Sequence, residues 1–88
     1  MLYKLFSAVH RCMPCQMLVL SLEREFPEWK QYVEYVEADS MSDEQRQLAT
    51  ELRVMRLPTF TDNVKIIELK GSPIQKAKQI KGLCLTKE

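Results

Sequence analysis

The chain has no apolar stretch approaching the ~20 residues that cross a bilayer, and almost no net charge. Its start, Met1-Leu2-Tyr3-Lys4-Leu5-Phe6, is too short an apolar run for a secretory signal and is soon interrupted by His10 and Arg11. A formal net charge of +1 offers no field to draw nucleic acid or an anionic membrane surface. Glycine is scarce, with only two in 88 residues, and there is no linker, repeat or low-complexity segment. The three cysteines are an odd number: one close pair, Cys12 and Cys15, and a remote Cys84. That is not a secreted disulfide framework, and in a reducing compartment a close pair is more often catalytic or metal-binding than structural. The expectation is a monomeric, cytosolic protein with a single domain over residues 1–88, using neither nucleic acid nor membrane.

What is present is a sequence of short strands and helices. Leu2–Phe6 reads as a buried strand. A helix follows over about Cys12–Phe26, with Cys15, Leu18, Val19, Leu22 and Phe26 at intervals of three and four on one stripe. Pro27 disfavours helical geometry at Phe26 and stops it. Glu28–Gln31 is a connection. Tyr32–Ala38 is rich in β-branched and aromatic residues and reads as a second strand, with Trp29 and Tyr32 packing against it. After a turn at 39–42, Ser42 and Gln45 fit a capping box for a helix over Asp43–Arg53, with Leu48, Ala49 and Leu52 on one face. Leu57–Thr61 and Val64–Leu69 read as two strands joined at Asp62-Asn63. Gly71 breaks the pattern, and Ser72-Pro73 caps a last helix over Ile74–Lys81 with Ile74, Ala77 and Ile80 inward. Gly82 is expected to end it, and residues 83–88 form a tail. Strands flanking the first helix should be parallel and the last two an antiparallel hairpin, giving one mixed four-stranded sheet flanked by helices in the order β-α-β-α-β-β-α.

The chemistry is concentrated at His10-Arg11-Cys12-Met13-Pro14-Cys15, where the first strand hands over to the first helix. Unpartnered N–H groups and the helix dipole favour a thiolate at a helix start. Cys12 can therefore ionise near neutral pH, and Cys15 lies within reach to close a disulfide. Pro14 suits the first turn, where its missing N–H costs nothing. His10 and Arg11 add positive or polarisable groups near Cys12. A zinc site from His10, Cys12, Cys15 and Cys84 is the competing reading, weakened because Cys84 stands alone where structural zinc usually has a second close pair. A c-type haem does not fit, since Gln16 rather than histidine follows Cys15. Cys84, flanked by Leu83 and Leu85, reads as a small apolar filler.

Two motifs at this spacing, Cys12-Met13-Pro14-Cys15 and Val54-Met55-Arg56-Leu57-Pro58-Thr59, give the chain a form that resembles the thioredoxin and glutaredoxin superfamily over nearly its whole length, closest to its small phage and microbial members. The resemblance implies a thioredoxin-like α/β fold and a thiol–disulfide oxidoreductase. It implies Cys12 as nucleophile and Cys15 as resolving cysteine, and a cis peptide before Pro58. Substrate contacts would come from Arg11, Met13, Pro14, Arg56, Leu57, Pro58 and Thr59, with Met13 and Met55 as a soft rim. It implies no bound cofactor, disulfide-containing protein substrates such as ribonucleotide reductase, and re-reduction by a thioredoxin reductase-type flavoprotein or by glutathione. The chain departs from the family in three places. Arg11 stands where thioredoxins have tryptophan, the strand Leu2–Phe6 lacks their buried acid, and Lys70-Gly71-Ser72 replaces the Gly-Gly and acidic cap of glutaredoxins. Thioredoxin and glutaredoxin types both stay open, as does a non-catalytic module that keeps the fold for binding.

Overall fold

The computed structural model describes residues 2–86. β1 (Tyr3–Ser7) lies inside a four-stranded sheet of order β2-β1-β3-β4. It pairs in parallel with β2 (Val33–Glu37), from Tyr3 opposite Val33 to Ser7 opposite Glu37. It pairs antiparallel with β3 (Thr59–Thr61), Leu5 opposite Phe60. β4 (Ile66–Ile67) closes the other edge as an antiparallel hairpin with β3. A strand inside the sheet is covered on both faces, which is why β1 reads as a nearly continuous apolar run rather than an alternating one.

The sheet face bearing Tyr3, Leu5, Val33 and Phe60 is covered by two helices. α1 (Met13–Glu25) contributes Leu18 and Leu22, with Phe26 just beyond its end, and the third helix, over Pro73–Leu85, contributes Ala77, Ile80 and Cys84. Tyr3 and Phe60 stack with ring centroids 5.1 Å apart. The middle helix, α2 (Asp43–Leu52), buries no residue fully, and the Pro73–Leu85 helix is therefore α3. Glu34 follows core-facing Val33 along β2 and so points to the opposite face. Gln45 of α2 donates to Glu34 there at 3.2 Å, which places α2 across the sheet from α1 and α3.

The boundaries expected from sequence shift in several places. β1 begins at Tyr3, with Leu2 exposed, and Cys12 and Phe26 cap α1 rather than belonging to it. The connection before β2 contains a 3-10 turn over Trp29–Gln31, and a second such turn, Ala38–Ser40, follows it. The capping box of Ser42 and Gln45 forms, and α2 ends at Leu52 with Arg53 in left-handed geometry at φ 60°. β3 starts only at Thr59, so Leu57 and Pro58 lie in the preceding loop. β4 is two residues long because Asp62 captures the N–H groups of Val64 and Lys65 and Asn63 turns with φ 77°. A four-residue loop replaces the expected two-residue turn. Ile74 is exposed rather than inward.

The largest departure is at Gly82, which does not end α3. The helix starts at Pro73 behind a Ser72–Gln75 capping box and continues through Gly82 to Leu85, with Thr86 as its cap. Leu83, Cys84 and Leu85, expected in a tail, instead sit on or against the core; residues 87 and 88 lie outside the described residues. A methyl group added at Gly82 would meet nothing within 4 Å, and glycine inside a helix costs about 0.5–1 kcal/mol relative to alanine. Gly82→Ala should therefore stabilise the chain by that amount, read as a rise of several degrees in the unfolding midpoint. No helix among the described residues is long and apolar enough to cross a membrane.

Candidate active site

Cys12 is itself the N-cap of α1. Its backbone is extended, its carbonyl accepts the first helical bond from Gln16 at 3.0 Å, and its sulfur accepts the Cys15 N–H at 3.2 Å. Sulfur thus takes the position usually filled by a serine or aspartate oxygen. The sulfurs of Cys12 and Cys15 lie at disulfide distance, with Cα atoms 5.2 Å apart. Their exposure differs: Cys12 is half-buried and Cys15 is fully buried under the first turn. Met13 and Pro14, between them, are exposed.

The loop between α2 and β3 comes up against this pair. The Leu57–Pro58 peptide bond is cis, and the Leu57 carbonyl oxygen lies 3.9 Å from the Cys12 sulfur. The Thr59 hydroxyl donates to the Arg56 carbonyl, tightening the loop from beneath. Leu57 and Pro58 are half-buried, Thr59 is buried, Arg56 is exposed, and Met55 projects almost wholly into solvent. The fold thus sets Pro58 and its neighbours beside the cysteines, although 45 residues separate Cys12 from Leu57.

Arg11 and His10 turn toward other partners. Arg11 grips Asp39 through two bonds, Nε to Oδ2 at 2.7 Å and a second guanidinium N–H to Oδ1 at 2.8 Å. His10 meets Asp39 at 2.7 Å and Glu37 at 3.4 Å. The parallel pairing of β1 and β2 explains this, since their C-terminal ends and the loops beyond them emerge side by side. Glu37 and Asp39 drew no attention in the sequence. The signal was there, in acids at and just past the end of one parallel strand facing Arg11 and His10 after the end of the other. The Arg11 hydrogen bond chiefly holds the Asp39 carboxyl below its ordinary value of 3.8. A depressed acid contributes stability above its unfolded pKa and loses it as pH falls through the folded one. The Asp39 carboxyl signal, followed by carbon NMR, should titrate below 3.8 and move back up in Arg11→Gln. An unmoved titration would show that Arg11 is not its partner in solution.

His10, Glu37 and Asp39 bring ligand-type atoms within 4.8 Å of one another, but both Asp39 oxygens already accept from Arg11, and the group is a polar cluster around the Arg11–Asp39 pair. The four-ligand zinc arrangement of His10, Cys12, Cys15 and Cys84 does not assemble among the described residues. Cys84 is buried in the core, and burial pushes its thiol up to about 11, so it stays protonated at neutral pH.

A cleft of about 430 Å³ opens on the other side of Pro58. Its floor is apolar, with Leu5, Leu18, Phe60 and Ile67, and Arg53, Arg56 and Lys76 line it together with Glu68. Arg53 and Lys76 were not singled out in the sequence, and only the fold brings them beside Arg56. A half-buried cysteine at a helix start, a fully buried one within bonding distance and an adjoining cleft are compatible with redox exchange of a disulfide. No family model, curated protein or solved structure matches the chain.

Proposed function

We propose that the chain is a thiol–disulfide oxidoreductase of thioredoxin-like or glutaredoxin-like type, working as a cytoplasmic monomer on protein disulfides. The observation that carries this reading is the unequal placement of two bondable sulfurs at the head of one helix, Cys12 half-buried and Cys15 fully buried. In the reduced protein the Cys15 N–H and the helix start favour the Cys12 thiolate. That thiolate attacks one sulfur of the substrate disulfide, and the other sulfur leaves as a thiolate. The Cys15 thiolate then attacks the Cys12 sulfur, forming the Cys12–Cys15 disulfide and releasing the second substrate thiol. Two electrons pass from the dithiol to the substrate. Leu57, with its carbonyl beside Cys12, and Pro58 and Thr59 would hold an extended substrate segment by its main chain. Met13, Pro14 and Arg56 would touch its side chains, and Arg11 would act through its tie to Asp39. Ribonucleotide reductase and other cytosolic disulfide enzymes are the proposed acceptors, and a flavoprotein reductase or glutathione the proposed donor. No resident cofactor is needed for this exchange.

The testing experiment is the redox equilibrium of the Cys12/Cys15 pair against defined glutathione buffers, read by thiol alkylation and mass. A midpoint near ~−270 mV points to a flavoprotein-driven reductant, and one near ~−200 to −230 mV to a glutathione-coupled carrier. A pair that never oxidises in these buffers overturns the redox reading in favour of a docking module.

A further inference from the structure

The cleft beside Pro58 has an electrostatic sign as well as a shape. Arg53 and Arg56 are exposed, Lys76 is half-buried, and all three line it, against one acid, Glu68. Among the described residues none of these three side chains makes an ion pair or hydrogen bond. Lys4, Arg11 and Arg46, by contrast, are each engaged by an acid. Arg53 also occupies the left-handed position that ends α2, at φ 60°, where glycine is the unstrained choice. Beneath the cations the floor is apolar, and its wall is Pro58, next to the carbonyl that meets Cys12.

We propose that this cleft selects protein disulfides whose reacting cysteine is flanked by apolar and acidic residues, the apolar side chain filling the floor and the acids pairing with Arg53, Arg56 and Lys76. The proposal rests on the disulfide-exchange reading for its chemistry and on the cleft alone for its selectivity. A net cationic, half-open groove favours an acidic segment by steering and by pairing, and penalises a basic one. Exposed pairs contribute up to about five-fold each at low salt and fade as ionic strength rises.

The test uses three sets of synthetic peptides of one sequence, with two glutamates, two glutamines or two lysines beside the cysteine. Binding is measured on versions with serine in place of cysteine, by amide shifts of Phe60, Ile67 and Leu69. Turnover is measured on the disulfide versions. The glutamate peptide should bind about five-fold or more tighter than the glutamine one, the lysine peptide weakest, with the ratio shrinking in high salt. Arg56→Glu combined with Lys76→Glu should invert the order. Arg53→Gly should reduce the preference while the unfolding midpoint holds or rises, which separates a binding role from a structural one. Equal binding by all three peptides, or shifts outside the cleft, overturns the proposal. So does glutathione alone saturating the cleft while the peptides leave it untouched. Charge-ranked binding without turnover of any peptide supports the cationic cleft as a site for acidic segments and overturns the redox reading. Turnover without charge ranking does the reverse.

Discussion

Cys12→Ser is expected to reduce disulfide turnover to the uncatalysed background, and Cys15→Ser to leave a protein that accumulates as a mixed disulfide with its substrate. The asymmetry follows from burial. Cys12 is half-buried, whereas Cys15 is fully buried in the first turn of α1 and should reach a disulfide only once Cys12 has delivered it. The first substitution is a clean one. Serine is a better N-cap than cysteine, so the bond from the Cys15 N–H is kept and a loss of rate is not a loss of fold. The second places a hydroxyl where no surface is exposed, at a cost of roughly 1–3 kcal/mol, and its stability should be checked alongside its chemistry. Cys84 cannot substitute for either partner, being buried in α3 with its thiol pushed up to about 11. Both outcomes are read by mass: no adduct on the first variant, and one substrate-sized adduct per chain, released by reductant, on the second. A Cys12→Ser protein that kept its rate would reverse the assignment of roles.

What was legible in the sequence is what local chemistry determines. The cysteine pair at a strand-to-helix junction, the Ser42 capping box and the Ser72-Pro73 helix start come from residues within a few positions of one another, the parallel and hairpin pairings follow from the order of the elements, and each is found. Where reading failed, a contact outside the expected pattern outweighed a local preference. Gly82 is a sound stop signal by propensity, yet the apolar Leu83, Cys84 and Leu85 beyond it gain more by packing on the core than glycine loses in a helix. Val64 has strand propensity, yet the Asp62 carboxylate takes its N–H and turns the chain instead. Around the cysteines, Arg11 and His10 looked like groups free to tune a thiolate. Their partners Glu37 and Asp39 lie nearly thirty positions away, and only the β1–β2 register brings them together. The cleft cations are the same case, since Arg53, Arg56 and Lys76 are ordinary surface charges in sequence and one side of a binding cleft in the fold.

Trp29→Ala should be the most damaging single substitution for the fold, costing about 3–5 kcal/mol, a large share of the ~5–15 kcal/mol that holds a typical domain. Trp29 is the chain's one tryptophan and is fully buried, in a 3-10 turn too short to be stable by its own hydrogen bonds. It joins the turn to both neighbours. Its backbone N–H donates to Phe26 at the end of α1, its carbonyl accepts from Tyr32 at the head of β2, and its indole N–H donates to Glu23 at 3.0 Å. Truncation would open a cavity in the core, strip Glu23 of its partner and loosen the start of β2, an edge strand held by β1 alone. Trp29→Phe keeps most of the apolar area and loses chiefly the Glu23 bond, so it should cost much less, about 1–2 kcal/mol. Urea unfolding followed by far-UV circular dichroism separates the two. Since Glu37 ends the same strand and Asp39 lies in the 3-10 turn that follows it, the alanine variant should also weaken the Arg11–Asp39 pair, raising the Asp39 titration toward 3.8 with no change at position 11. A loss below ~1 kcal/mol would mean that the surrounding core closes over the space, and that the turn's backbone bonds rather than the indole anchor β2.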